Sequence, residues 1–200
     1  MTQNRRGRLP AGLLSAVLFA LLLLCGTALP AAAMQMTPQP LNPQPTSVQP
    51  GLMPLYYRNV TFNMIDEVLR WAKDNKGEPG KPIPNIDAFG DGEMWDSGMK
   101  HLYGMRIEGA VKLPAGSTLF AVSSNDGVRV LLGGVQILED GDVHADRLTD
   151  PVEVKAASAG WYPLLIWYFQ KKNTAGLQLL WQPPGAKDFQ PVPPEALGHL

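Results

Sequence analysis

The chain has 200 residues, 45% hydrophobic and 18% charged, with 17 Lys and Arg against 18 Asp and Glu and a formal net charge of −1. That is apolar material for one domain with a sizeable core, and a charge balance without the positive surface that nucleic acid or an anionic bilayer rewards. Cys25 is the only cysteine, so no internal disulfide can staple the fold.

Segment 1–33 sets a basic region, Arg5, Arg6 and Arg8, before an uncharged apolar run from Leu13 to Leu24, then Pro30 and Ala31-Ala32-Ala33. This is the layout of a secretory signal peptide. The run is 12 residues long, short of the roughly 20 that span a bilayer, which predicts cleavage after Ala33 and no stable membrane span afterwards. Arg5-Arg6 keeps twin-arginine export open, without the usual following residues. Cys25 after Leu22-Leu23-Leu24 keeps lipidation open, although Leu24 is bulkier than the residue expected there. The expected location is secreted, periplasmic or envelope-held. Cleavage would leave 167 residues, 14 Lys and Arg against 18 acids, and no thiol nucleophile or zinc–thiolate site.

Residues 34–54 carry five prolines between Pro38 and Pro50 and no charge. They read as a Pro/Gln-rich linker with polyproline II character, ahead of a domain over 55–197. Ile65, Val68, Leu69 and Ala72 then follow helical spacing. Asn63 is the expected N-cap, Asp66 and Glu67 suit the first turn, and Asp66 is placed to pair with Arg70. The helix is expected to stop at Gly77, and residues 77–85, GEPGKPIPN, read as a loop.

Beyond Gly98 come short apolar runs broken by turn residues, predicting an all-β sandwich or barrel. Strands are expected near Tyr103 to Leu113, Thr118 to Ser123, Val128 to Leu132, Val135 to Leu138, Pro151 to Ala156, Tyr162 to Phe169 and Leu177 to Trp181. Gly133-Gly134 reads as a two-residue hairpin turn, and Asn173 to Gly176 as the loop of another hairpin. From Trp161 to Phe169 both alternating faces are apolar, which describes a strand buried on both sides rather than an aromatic sugar platform.

An ordered set of phrases resembles the PA14 domain family, the β-sandwich module of toxins, glycosidases, adhesins and flocculins. The set is Leu55-Tyr56-Tyr57, Arg106-Ile107-Glu108-Gly109, Leu113-Pro114-Ala115-Gly116, Ser124-Asn125-Asp126-Gly127-Val128-Arg129, Ala159-Gly160-Trp161-Tyr162-Pro163, Tyr168-Phe169-Gln170 and Leu179-Leu180-Trp181. The resemblance implies an all-β, antiparallel PA14-like sandwich or barrel; the one short N-terminal helix is read from its apolar spacing and is not a regular part of that family. It also implies a binding module for carbohydrate or adhesion rather than an enzyme. Sugar-binding members hold calcium with two consecutive aspartates joined by a cis peptide, and Asn125-Asp126 stands at that position here. Asn125 can still offer an oxygen, but one formal charge is missing and calcium affinity should fall. A second loop would supply further contacts, with Asn173 its candidate.

The candidate metal ligands are therefore Asp126 and Asn125, with calcium as the implied cofactor. The candidate ligand-binding residues are Asp126, Asn125, Asn173 and Trp95, the last as a surface aromatic within residues 91–96. The plain alternative for Asn125-Asp126-Gly127 is a tight turn whose residues tolerate positive φ. The acids of residues 139–146 fail as an EF-hand, since Ala145 and Pro151 stand where glycine and a bidentate glutamate belong, although Asp140 or Asp142 could complete a site begun by Asp126. His101, His144 and His199 share no ligand spacing, and no nucleophile, P-loop or metalloprotease signature occurs. The expected partner is a glycan or a cell-envelope protein, not nucleic acid. A structural or protein-interaction module that has lost metal and sugar, and an accessory unit to a separate enzyme, are the competing readings.

Overall fold

Alternating apolar residues need a second layer to cover them, and here two antiparallel sheets supply it to each other. The computed structural model describes residues 36–91 and 93–200; the expected signal segment, with Arg5, Arg6 and Cys25, lies outside them. In chain order the longer elements are β1 (Met53–Arg58), α1 (Ile65–Asp74), β2 (Asp87–Gly90), β3 (Tyr103–Leu113), β4 (Gly116–Asn125) and β5 (Val128–Leu132). They continue with β6 (Val135–Asp140), β7 (Val152–Ala156), β8 (Gly160–Gln170), β9 (Ala175–Gln182) and β10 (Leu197–His199). The first sheet runs Gln49–Pro50, β10, β3, β8, β5, β6, with β1 also on β3. The second runs β7, β4, β9, Gln190–Pro191, with β2 also on β9. Among the described residues no helix is long and apolar enough to cross a membrane.

Strand β8 shows why both of its faces are apolar. Tyr162, Leu164, Ile166 and Tyr168 point into the core between the sheets, while Trp167 and Phe169 join a second cluster with Phe62, Ile65 and Val68 beneath α1. The helix is thus a lid on the outer face of the first sheet, held by its apolar stripe. The Gly133-Gly134 turn joins β5 to β6 with φ of 55° and 81°, the left-handed pair that a type I′ hairpin requires.

Four expectations change. The predicted linker is folded from Met36 onward: Met36 N–H donates to the Glu153 carbonyl and Lys155 N–H to the Met36 carbonyl, at 3.2 and 2.9 Å. Gln44 then brackets the Trp161 backbone with both amide atoms, at 3.0 and 2.7 Å. Proline-rich chain is already extended, the shape an open strand edge accepts, so the domain begins well before residue 55 and β10 carries it past 197.

Asn63 is not the helix cap. Met64 occupies that position without a side-chain bond, and Asn63 instead donates its N–H to Glu67 and accepts from Lys171 Nζ, both at 2.7 Å. Asp66 pairs with Arg129 at 2.8 Å rather than with Arg70, because α1 packs over β8, and the neighbouring strand β5 presents Arg129 opposite Trp167 at the helix edge. Finally, β8 and β9 are no hairpin. Residues 171–174 carry the chain from the first sheet to the second, since β8 pairs with β3 and β5 while β9 pairs with β4 and β2.

Candidate functional site

Strand β4 ends at Asn125 and β5 begins at Val128, so the chain changes sheet through Asp126 and Gly127. The Asn125–Asp126 peptide is cis. Neither residue nor Gly127 has positive φ, so the tight-turn alternative does not account for the glycine. Close packing does: a Cβ at Gly127 would sit 2.4 Å from the Phe169 ring and 2.8 Å from the Gly141 carbonyl oxygen.

Asp126 is 2% exposed, and a carboxylate there needs donors to offset its desolvation. Two loops provide them: His144 N–H donates to Oδ1 at 3.1 Å and Lys171 N–H to Oδ2 at 2.8 Å. Asn125, 5% exposed, donates Nδ2 to Asp146 Oδ1 at 3.0 Å and to Thr174 Oγ1 at 3.1 Å. The two residues therefore tie residues 141–146 and 171–174 to the end of β4. Between them lies a pocket of about 230 Å³ lined in part by Asn125, Asp126, His144, Lys172, Asn173 and Thr174.

The core braces this arrangement from below. Tyr168 donates its hydroxyl to the Asn125 carbonyl, and Gln170 Nε2 donates to the Lys172 and Thr174 carbonyls at 3.0 and 2.9 Å. Burial, then the neighbouring Tyr103 and Asp126, push the Tyr168 phenol well above its ordinary range. It remains a neutral donor throughout the physiological range.

Three of the four sequence candidates meet here: Asp126, Asn125 and Asn173, the last exposed with a left-handed φ of 64°. Trp95 does not join them. It is only partly exposed and packs against the main core, because Asp96 beside it is pinned by the Tyr56 hydroxyl and the Lys81 N–H, both at 2.9 Å. Asp140 is occupied by a two-point pairing with Arg147. Asp146, within the acidic loop yet not singled out, is the acid that reaches Asn125, and only the crossing of loops could reveal it.

Whether calcium suits this pocket depends on its oxygens. Asp126 retains a lone pair on each carboxylate oxygen, the Asn125 carboxamide oxygen accepts no hydrogen bond among the described residues, and Asn173 lines the same pocket. These are hard donors of the kind calcium takes, but six to eight are needed, only Asp126 of the lining is acidic, and Lys172 adds an opposing charge. Among the described residues no group of three or more His, Cys, Asp or Glu side chains gathers that could hold a metal ion. Other grooves are larger, among them one of about 490 Å³ beside α1 with Lys73, Lys76 and Arg106, and one of about 520 Å³ over Ile137 to Val152 with Glu139, Asp140, Arg147 and Asp150.

Residues 49–194 match the family described as the PA14 domain. Among solved structures, the PA14 domain of the MpAFP antifreeze protein is similar with a TM-score of 0.66 at 18% identity, covering 78% of this chain and 93% of its own. A PA14 sugar-binding domain from an RTX adhesin reaches 0.63 at 18%, covering 76% and 99%. The epithelial adhesin 6 A domain of Candida glabrata, solved with Galβ1-3GlcNAc, reaches 0.65 at 14%, covering 82% and 93%. At such identities the likeness carries the fold. No curated protein sequence matches this one.

Proposed function

This chain belongs to the PA14 domain family, and from that premise we propose that it is an exported, non-enzymatic carbohydrate-binding or adhesion module whose glycan site is the Asn125–Asp126 pocket. The observation that carries the reading is the meeting of Asp126, Asn125 and Asn173 around one small concavity. Sugar binding in the RTX adhesin domain and a bound disaccharide in the Candida glabrata domain support it.

The residues do the following. Asp126 holds the His144 and Lys171 backbones and leaves acceptor lone pairs for sugar hydroxyls, which donate well to carboxylates. Asn125 presents its carboxamide oxygen. Asn173 and Lys172, on the loop braced by Gln170, form the opposite wall and select among ligands. Calcium, where bound, would be held by Asp126 and Asn125 and would supply a Lewis-acidic point for a pair of hydroxyls. A pocket smaller than the roughly 300–1,000 Å³ of drug-sized sites suits one terminal sugar ring.

A second reading rests on a specific observation: both carboxylate oxygens of Asp126 already hold backbone N–H groups. On that account Asp126 is a brace between loops, and the module binds a cell-envelope protein without metal. A glycan array probed in calcium and again in EDTA separates the two. Calcium-dependent binding that weakens in Asn125→Ala supports the glycan site. Absence of sugar binding, with recovery of one defined envelope partner, favours the brace.

A further inference from the structure

Among the described residues only two aromatic side chains are broadly exposed, Trp71 at 41% on α1 and Phe89 at 48% on β2. Single exposed hydrophobes are ordinary on protein surfaces, so exposure alone says nothing. What distinguishes Phe89 is the surface beneath and beside it.

Phe89 pairs with Gly176 on β9, and Gly176 pairs with Asn125 on β4. Directly opposed residues in a sheet point to the same side, so the three form one row across the outer face of the second sheet. The middle member has no side chain, and the Phe89 ring occupies its space. A Cβ on Gly176 would lie 2.6 Å from both Cδ1 and Cε1 of that ring. Any other residue at 176 would lift the ring off the sheet. The same position is 3.4 Å from Asp146 Oδ1, the carboxylate oxygen that accepts from Asn125 Nδ2. In the next row Gln178 Nε2 donates to Asp87 Oδ1 at 2.7 Å. The outer face thus offers a flat apolar ring, held in place, with hydrogen-bond acceptors along its border.

An uncharged hexopyranose has the matching surface: a continuous patch of C–H groups on one ring face and hydroxyls around the rim. Its C–H hydrogens meet the negative face of an aromatic ring favourably, and its rim hydroxyls donate to carboxylates. We propose that Phe89, seated on Gly176 beside Asp146, is the stacking platform that carries a bound hexopyranoside from the Asn125–Asp126 pocket onto the outer face of the second sheet. Asp87 and Asp146 select against uronates and other acidic sugars. The proposal rests on the reading of the Asn125–Asp126 pocket as a glycan site.

The test titrates the neutral glycan bound most tightly on the array into the wild-type protein and into Phe89→Leu, Phe89→Trp and Asn125→Ala. Phe89→Leu keeps apolar bulk over Gly176 but removes the ring. The expected result is a loss of about tenfold in affinity for Phe89→Leu at unchanged melting temperature, with Phe89→Trp retaining binding. Upfield shifts of the sugar C–H protons should appear in the wild-type complex and vanish in Phe89→Leu. Wild-type affinity in Phe89→Leu, alongside loss in Asn125→Ala, would overturn the platform and leave the pocket standing. A wild-type protein that binds no neutral glycan overturns both.

Discussion

Asp126 sits at the junction of three loops, and its removal has a calculable structural cost. Asp126→Ala leaves the His144 and Lys171 N–H groups without acceptors. Each unsatisfied buried donor costs about 1–3 kcal/mol, so the variant should lose about 2–6 kcal/mol and roughly 4–24 °C in melting temperature. A fall within a degree or two of wild type would mean that water replaces the carboxylate. Asn125→Asp tests the cation directly. It restores the missing charge, but it places a carboxylate where an amide now donates to Asp146, so like charges oppose each other. The variant should melt below wild type in EDTA and recover by several degrees in millimolar calcium, more than wild type shifts. Indifference to calcium in this variant would remove the cation from the site.

At the scale of elements, α1 is coupled to the pocket it does not touch. Ile65 N–H donates to the Gly141 carbonyl at 2.8 Å, and a Cβ at Gly141 would meet Ile65 Cγ2 at 3.0 Å. The helix therefore backs the segment from which His144 reaches Asp126. Ile65 is 1% exposed, so Ile65→Ala should cost about 2–5 kcal/mol. Hydrogen exchange at the His144 amide should accelerate more than exchange along β3. Equal acceleration at both places would show that the helix stabilises the sandwich without steering the loop. The helix's existence was legible from Ile65, Val68, Leu69 and Ala72. Its cap and its ion pair were not, because Asn63 and Asp66 answer to Lys171 and Arg129, residues distant in sequence.

The whole molecule is held by a core rich in buried phenols, and this sets its response to base. Burial, with Asp96 adding to it, raises the pKa of Tyr56, and burial raises those of Tyr103 and Tyr168. Their folded pKa values lie above the unfolded value near 10. The stability they contribute is complete below about pH 10 and is lost as pH rises beyond it, when only the unfolded chain ionises readily. In an alkaline titration these three tyrosinate signals should stay silent until the far-ultraviolet circular dichroism collapses, and should then appear together. Tyrosinate absorbance that develops before the collapse would mean that water reaches the core.

Much of the architecture was readable along the chain. Local alternation and turn residues fix where strands can begin and end, and Tyr103–Leu113 and Val128–Leu132 match their expected bounds. Apolarity on both faces of β8 foretold a cover on each side, and the ordered phrases around Ser124 to Arg129 pointed to the family and to Asn125-Asp126. Only the tertiary structure decided which segments face one another. It turned a proline-rich stretch into edge backbone and sent residues 171–174 across the sandwich. It also folded Trp95 inward, left Phe89 exposed on Gly176, and brought Asp146 to Asn125. Periodicity is a property of neighbours in sequence, whereas a site is made by loops whose meeting depends on strand pairing over distances that no local pattern encodes.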